Sequence, residues 1–340
     1  MKNLKNILPS CYHIIKFICS MRLMSTIQRG GYLFTSKRNI ALLFFGLSFA
    51  VAMMTGCLAQ ENQEKVIEIP DDSLKTAISN KVGKSPEGIT ASDMESINSL
   101  TLTQKNISDL TGLEYATNLE ELYLYYNDIE DIAPLAYLTN LQDLRLNDNR
   151  IEDIGPLSVL SELKRLQLCR NQITDLDPVK DLTSLEELYM TNEKVAAPGD
   201  HTENEIEDIR ALGKLQGLTT LHLNGNQITD ISAIKSLTEL KRLRLGDNEL
   251  EEIDALADLE KLQQLGLARN NIYDISALIG LSELRELDLG YNSITDFTPI
   301  TALRKLETLR VTDQPVNVDA LSEQLESENV TITDADFLRD

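Results

Sequence analysis

The stretch NLEELYLYYNDIEDI, residues 118–132, decides the fold of this 340-residue chain. From Glu121 to Tyr125 polar and apolar residues alternate, which is the pattern of a strand with one buried face. The phrase returns as NLQDLRLNDNRIEDI at residues 140–154 and as ELKRLQLCRNQITDL at residues 162–176. Each strand is too short to be stable alone, so neighbouring copies must stack and share one core. The sequence therefore predicts a solenoid with one turn every 22 residues.

One asparagine follows the strand in each copy and sets the length of the repeat. These asparagines are Asn127, Asn149, Asn171, Asn204, Asn226, Asn248, Asn270 and Asn292. Every step is 22 residues except the 33 between Asn171 and Asn204, which adds an insertion at residues 193–203. Because one amide can donate and accept at once, we expect these side chains to form a structural ladder that satisfies buried backbone groups. The period and the leucine spacing together are typical of leucine-rich repeats.

The first 56 residues differ in composition from the rest of the chain. The basic pair KR at residues 37–38 precedes an apolar run at residues 40–54, a pattern typical of a secretory signal peptide. The sequence MTGC at residues 54–57 resembles a bacterial lipobox, and this resemblance implies that Cys57 is lipidated. An uncleaved signal anchor is the alternative interpretation. Residues 1–36 form an atypical N-terminal extension, which translation from a later methionine would shorten.

Removal of residues 1–56 leaves a strongly acidic chain. That segment holds seven basic residues and no acidic residue, so the remainder carries 25 basic and 54 acidic residues and a net charge of −29. Such a charge argues against nucleic acid and anionic lipid as partners. Of the four cysteines only Cys169 lies within the repeats, so we expect no disulfide framework. We expect its thiol to be inert and partly buried, with a reactive thiol as the alternative.

The repeats, a short helical cap before them and the secretion signal together resemble the bacterial internalins with 22-residue repeats. The resemblance extends from Pro70 to about Gln314. It implies an α/β solenoid, in which a right-handed, curved leucine-rich repeat superhelix has a parallel sheet on its concave side. Short 3₁₀ or helical turns are implied on the convex side, helical caps at the ends, and protein or glycan binding on the concave side. Unlike the internalin pattern, the sequence has no immunoglobulin-like module or wall-sorting tail, so we expect lipid to replace wall attachment.

The predicted organisation has five parts. They are a signal peptide with its extension at 1–56, a polar tether at 57–69, a helical N-terminal cap at 70–97, the repeats at 98–314 with the insertion at 193–203, and a C-terminal cap at 315–340. An open stack of repeats needs such caps, because its end turns would otherwise expose leucines and sheet edges.

The outward strand positions, with the residue at the turn after each strand, form the candidate binding surface. Five of the eight tyrosines after residue 56 and seven of the twelve arginines lie there, without lysine, and eight acids bring its net charge to −1. Tyr and Arg predominate in binding surfaces, although Tyr is also ordinary in strands. The candidate partner-binding residues are Tyr123, Tyr125, Tyr126, Arg145, Arg165, Arg170, Tyr189, His222, Arg242, Arg244, Arg269, Tyr291 and Arg310. Later in the chain, Gly246, Gly266, Ala268 and Gly290 make this surface smooth.

No pattern in the sequence indicates catalysis, since it contains no nucleophile motif, phosphate-binding loop or zinc-ligand spacing. The insertion contains Asp200, His201 and Glu203, which could hold a metal, but we interpret it as a mobile contact loop. We therefore expect no catalytic residue, no metal and no cofactor.

The sequence thus predicts an exported lipoprotein, anchored in a membrane and facing the periplasm or the cell surface. We expect a monomer that binds a protein, or a glycan, on its concave sheet. A structural spacer or scaffold of the cell envelope, and a regulatory subunit of a bound enzyme, are the alternatives. Substitution of Tyr123 and Arg244 by Ala distinguishes binding from the spacer, because it would abolish binding and leave a spacer unaffected. The regulatory subunit requires a cytosolic location, which lipidation of Cys57 would exclude.

Overall fold

The computed structural model describes residues 65–192 and 203–313, together with Leu321, Leu325 and residues 330–333. All of them belong to the compact unit Glu64–Asp340. The predicted signal peptide, Cys57, most of the tether and most of the insertion lie outside the described residues. None of the described helices combines the length and the hydropathy that a membrane span requires.

The N-terminal cap begins with helix α1, Asp72–Val82. Asp71 caps this helix, since one of its carboxylate oxygens accepts a hydrogen bond from the Leu74 amide at 2.9 Å. Gly83 ends the helix in the left-handed conformation, with φ of 70°. The second carboxylate oxygen of Asp71 accepts from the backbone amide of Ser108 at 3.0 Å, so the same side chain also anchors α1 to the first turn of the solenoid.

Helix α2, Ala91–Glu95, follows a 3₁₀ turn at Pro86–Gly88. It begins with a capping box, in which Thr90 and Asp93 exchange side-chain and backbone hydrogen bonds. Asp93 also forms an ion pair with Lys84 at 2.7 Å. The apolar residues of both helices continue the core of the repeats, which closes the first turn of the stack.

Eleven short strands form one parallel sheet, in chain order, among the described residues. They are β1 Ser99–Thr101, β2 Glu121–Tyr123, β3 Asp143–Arg145, β4 Arg165–Gln167, β5 Glu187–Tyr189, β6 Thr220–His222, β7 Arg242–Arg244, β8 Gln264–Gly266, β9 Glu286–Asp288, β10 Thr308–Arg310 and β11 Thr331–Thr333. Up to β10 each residue pairs with its counterpart one repeat later, as Leu122 does with Leu144. Across the insertion Leu188 pairs with Leu221, so the inserted residues do not shift the register.

On the opposite side of each turn the chain forms a short 3₁₀ helix. These helices are Leu113–Tyr115, Ala133–Tyr137, Gly155–Val159, Asp177–Val179, Arg210–Lys214, Ser232–Ser236, Asp254–Leu256, Ser276–Gly280 and Thr298–Ala302. Most are preceded by an aspartate whose side chain accepts from the backbone amide two residues on, at 2.7–2.9 Å. The aspartates are Asp131, Asp153, Asp175, Asp208, Asp230, Asp274 and Asp296. An aspartate that bonds its own backbone in this way starts the turn locally.

The core is a continuous column of leucine and isoleucine that runs through all the repeats. Leu122, Leu124 and Ile129 have no exposed surface, and their counterparts in later repeats are buried in the same way. Leu321 and Leu325 lie in helical conformation and are buried, and β11 pairs with β10 at the end of the sheet. The predicted leucine-rich repeat solenoid, with a parallel sheet and short 3₁₀ turns, is confirmed.

Candidate partner-binding surface

The asparagine ladder fixes the turn that leads out of each strand. Asn171 is fully buried, and its side-chain oxygen accepts from the Ile151 amide of the preceding repeat at 3.1 Å. Its side-chain nitrogen donates to the carbonyl groups of Leu146 at 3.0 Å and Leu168 at 3.2 Å. Each ladder asparagine therefore stabilises two adjacent repeats at once, as the sequence led us to expect.

The residue before most of the ladder asparagines has a left-handed backbone, which the sequence analysis did not predict. Among these residues are Tyr126, Asp148, Arg170, Asp247, Arg269 and Tyr291, with φ between 50° and 60°. This conformation is unfavourable for residues other than glycine, so the surrounding turn must impose it. The sequence holds one sign of it, since Gly225 occupies the same position with φ of 72°. Side chains at this position project along the rim of the sheet.

The insertion starts from a second buried asparagine, Asn192, which the sequence analysis also missed. Its side-chain oxygen accepts from the backbone amide of Asn204 at 2.9 Å, and its side-chain nitrogen donates to the Asn204 carbonyl at 2.6 Å. The same nitrogen donates to the Gly225 carbonyl at 2.6 Å. Asn192 thus joins the two ends of the insertion, and Asn204 takes the ladder position that the repeat requires. An asparagine one residue before the expected ladder position was the available sequence signal.

We define the strand face as four columns of outward residues along β2–β10. The columns are the first residue of each strand, its last residue, the residue two positions after the strand and the rim residue that follows. The structure places all thirteen candidate residues in these columns. Arg165 and Arg242 are first residues; Tyr123, Arg145, Tyr189, His222, Arg244 and Arg310 are last residues; Tyr125 follows β2; and Tyr126, Arg170, Arg269 and Tyr291 lie at the rim.

Two carboxylates organise the arginines on the first half of the strand face. Asp143 accepts two hydrogen bonds from Arg145 in its own strand, at 2.9 and 3.0 Å, and one from Arg165 at 3.1 Å. Glu187 accepts two more from Arg165, at 2.8 and 3.0 Å. The hydrogen bonds that Arg165 donates therefore lower the pKa of Glu187, and those that Asp143 accepts raise the pKa of Arg145. These arginines are held rigidly by the protein itself.

The tyrosines belong to the same network. The hydroxyl of Tyr189 donates to Glu187 at 2.9 Å, and that of Tyr123 lies 3.4 Å from Asp143. The guanidinium of Arg145 lies 4.4 Å from the centre of the Tyr123 ring. Burial raises the pKa of both tyrosines, so they remain neutral donors. Their rings are thus fixed in place, which lowers the entropy that they would lose on contact with a partner.

His222 continues the column of last residues beyond Tyr189. The two rings meet edge to face with their centres 4.8 Å apart. Burial, together with the charges of Arg244 and Arg242, lowers the pKa of His222 to about 4. Its Nε2 atom is buried and has no hydrogen-bond partner among the described residues. At neutral pH this histidine is therefore uncharged.

The rim residues, and the third column of residues two positions after each strand, make contacts that do not involve Asp143 or Glu187. Arg170 forms a bidentate ion pair with Asp148 of the preceding rim position. The guanidinium of Arg269 lies 4.0 Å from the centre of the Tyr291 ring. Cys169 is half-buried and accepts weak hydrogen bonds from Thr191, and burial raises the pKa of its thiol. A raised pKa makes this thiol a poor nucleophile, in agreement with the expectation that it is inert.

A shallow groove of about 210 Å³ lies beside the first column of the strand face. It is lined by Glu120, Glu121, Gln142, Asp143, Lys164, Arg165, Glu186 and Glu187. Several of these charges are already neutralised by one another, since Arg165 bonds both Asp143 and Glu187. Among the described residues no group of three or more His, Cys, Asp or Glu side chains could hold a metal ion. Asp200 and His201 lie outside the described residues.

Comparison with family models identifies leucine-rich repeats in three parts of the chain. The model "Leucine Rich repeats (2 copies)" matches residues 117–159, and "Leucine rich repeat" models match residues 139–195, 216–272 and 282–296. No curated protein matches the chain. The family models thus confirm the repeat type that the asparagine and leucine spacing predicted.

Solved structures from Listeria monocytogenes resemble the chain. The internalin InlF is 29% identical in sequence and superposes with a TM-score of 0.51. The matched region covers 78% of this chain and 88% of the InlF chain. The internalin InlC2 is also 29% identical, with coverage of 72% and 94% and a TM-score of 0.52. The chain therefore contains leucine-rich repeats and is similar in structure to these two internalins.

A plant structure shares the fold. It is the leucine-rich repeat ectodomain of the membrane receptor kinase GASSHO1/SCHENGEN3 from Arabidopsis thaliana, solved in complex with CASPARIAN STRIP INTEGRITY FACTOR 2. It is 23% identical, covers 71% of this chain with 30% of its own, and has a TM-score of 0.57. This likeness concerns the fold alone.

Proposed function

We propose that the protein is an exported lipoprotein, anchored through Cys57, that binds a protein partner on its strand face and has no catalytic activity. The observation that carries the binding proposal is the charge of that face. It has a net charge of −1 on a chain that carries −29 after residue 56, and it is rich in Tyr and Arg without any Lys. Such a composition is typical of binding surfaces, in which Tyr and Arg are enriched and Lys is depleted relative to the rest of a protein surface.

The geometry of the first half of the strand face supports the same proposal. Arg145, Arg165 and Tyr189 are held by Asp143 and Glu187, so their positions are set before any partner arrives. A surface that is already ordered loses less conformational entropy on association than one made of mobile side chains. The plant ectodomain that shares the fold was solved in complex with CASPARIAN STRIP INTEGRITY FACTOR 2, which is consistent with binding by a leucine-rich repeat surface.

Photo-crosslinking in intact cells tests the binding proposal. A benzophenone amino acid would replace Tyr125 or Tyr291 on the strand face, and in matched variants Tyr137 or Tyr273, which are 64% and 58% exposed away from it. We expect a discrete, protease-sensitive adduct from the strand-face variants and none from the controls. An adduct that resists protease and yields to glycosidase would mean a glycan ligand. The absence of adducts from all four positions would favour the envelope spacer.

The intact mass of the protein extracted from membranes tests the anchor. A chain that begins at an acylated Cys57, and a Cys57→Ala variant that stays unprocessed, is the expected result. A membrane-bound chain that retains residues before 57 would establish the signal anchor instead. A soluble, unprocessed chain would contradict export and favour the regulatory subunit of a bound enzyme.

A further inference from the structure

We propose that Arg244 is the anchor for a carboxylate side chain of the protein partner, which docks on the smooth surface of β6–β9. This inference rests on the proposed binding function and adds to it the chemistry of the partner and the position of the contact. It starts from the difference between Arg244 and the other arginines of the strand face.

Most arginines of the strand face already have a carboxylate. Arg145, Arg165 and Arg170 form ion pairs at 3.1 Å or less with Asp143, Glu187 or Asp148. Three more lie 3.9 Å from a carboxylate oxygen: Arg242 from Glu187, Arg269 from Asp247 and Arg310 from Asp288. The protein thus neutralises the guanidinium groups of this face systematically.

Arg244 is the exception among these residues. Its side chain is exposed, and within the described part of the chain it has no side-chain hydrogen bond and no carboxylate within 4.0 Å. Its direct neighbours in the column of last residues are His222 on β6 and Gly266 on β8, and neither supplies a negative charge. A guanidinium has five N–H donors in a fork that matches a carboxylate, and here they are available to an incoming ligand.

The surface beside Arg244 is made for close approach. If Gly266 carried a Cβ atom, this atom would lie 3.6 Å from Cγ of Arg244, so the arginine extends across the glycine. In the next column Gly246, Ala268 and Gly290 present no side chain larger than a methyl group. A partner backbone can therefore lie flat on β7–β9 while one of its side chains reaches the guanidinium.

The charges around Arg244 favour a carboxylate over a phosphate group. Arg244 has no ion pair among the described residues, and its neighbour His222 is neutral at physiological pH, so the local charge is positive. Two strands further along the same column lies Asp288, a half-buried carboxylate close enough to sense the charge of Arg244. It repels a dianion about twice as strongly as a monoanion at the same distance. A ligand group with one negative charge, placed between Arg244 and the column of Gly246, Ala268 and Gly290, is therefore the best match.

The crosslinked adduct from the Tyr291 position provides the test. In the benzophenone protein, Arg244→Glu should lower the adduct yield at least ~10-fold, because a partner carboxylate would face a like charge. Arg210→Glu is the matched control, since Arg210 is an exposed, ion-paired arginine on a 3₁₀ turn outside the strand face. We expect this control to retain the wild-type yield, and circular dichroism to show that both variants are folded.

Identification of the crosslinked partner peptide completes the test. We expect an Asp or a Glu near the attachment point, and its replacement by Arg should restore the adduct with Arg244→Glu. An adduct that forms normally in Arg244→Glu would overturn this inference and leave the binding proposal intact. A phosphorylated residue at the contact would overturn the carboxylate assignment. The absence of any adduct in the wild type would contradict both proposals.

Discussion

At the scale of single residues, the ladder asparagines stabilise the fold by forming hydrogen bonds with buried backbone groups. Asn171 pairs one buried amide and two buried carbonyl groups from two repeats. No other side chain of similar size offers an acceptor and two donors in this geometry. The ladder position therefore depends on hydrogen bonding, whereas neighbouring leucine positions depend on apolar burial.

We expect Asn171→Ala to lower the free energy of unfolding by about 2–4 kcal/mol, because it leaves these buried backbone groups unpaired. The shift of the urea midpoint measures the effect. The adjacent exposed residue gives the control, since Gln172→Ala should change stability by less than ~0.5 kcal/mol. Equal effects of the two substitutions would show that the ladder does not stabilise the repeats.

His222 makes the stability of the folded protein depend on pH. Its pKa is lowered from 6.5 to about 4 by burial and by the charges of Arg244 and Arg242, while Glu187 acts weakly in the opposite direction. The unfolded chain therefore binds the proton at a higher pH than the folded chain does. The stability linked to this group is complete above the unfolded pKa and is lost as the pH falls from about 6.5 to about 4.

This linkage predicts a difference between the wild type and His222→Gln. Between about pH 7 and about pH 4.5, the wild type should lose more stability than the variant, which cannot titrate at this position. Urea denaturation at the two pH values checks the difference, and the many carboxylates that also titrate are common to both proteins. An equal loss of stability in both proteins would mean that folding does not lower the pKa of His222.

At the scale of elements, the base of the insertion joins two repeats that are 33 residues apart. Asn192 spans the ends of the inserted segment and also bonds the Gly225 carbonyl. Gly225 has φ of 72°, and a Cβ atom there would lie 3.1 Å from Cβ and 3.2 Å from the carbonyl oxygen of Asn192. The glycine therefore leaves room for the asparagine.

We expect Gly225→Ala to destabilise the protein by about 1–3 kcal/mol, because it combines a strained backbone with contacts that are too short. Gly266→Ala is the matched control in a later strand, since its nearest new contact would be 3.6 Å. Thermal unfolding compares the two variants, and limited proteolysis at residues 193–203 should accelerate in Gly225→Ala alone. Similar melting temperatures of the two variants would show that Gly225 does not stabilise the base of the insertion.

The elements differ in how far the sequence determines them. Alternation around Leu122 and Leu124, and the Asp131 position, predict strands and turns because each signal is local. The ion pairs of Arg165 are not local, since Asp143 and Glu187 lie one repeat before and one after it. Sequence reasoning placed all three on one face but did not predict their pairing. The burial of His222 depends on Tyr189, which the insertion separates in sequence and the register brings next to it.

At the scale of the whole molecule, each repeat contacts mainly its two neighbours, so the repeats are interchangeable units. Except across the insertion, neighbouring strands up to β10 pair at an offset of 22 residues, and the hydrogen bonds of the ladder recur at the same interval. A deletion that preserves the offset should therefore be tolerated, and one that breaks it should not.

Removal of residues 271–292, one complete repeat, should leave a folded protein with a somewhat lower melting temperature. Removal of residues 271–290 places Tyr291 and Asn292 out of register with the ladder, and we expect this variant to aggregate or unfold. Circular dichroism and size-exclusion chromatography distinguish the two results. Two equally stable deletions would show that the offset between repeats is not required.

The direction of the ladder has a consequence for how the chain is made. The Ile151 amide donates to Asn171 and the Ile173 amide donates to Asn204, so each described turn from Ile107 to Ile272 is completed by a residue that is synthesised later. A growing chain thus always ends in one unfinished turn. For most turns the delay is 20 residues, but at the insertion it is 31, so the turn around Ile173 stays open longest during synthesis.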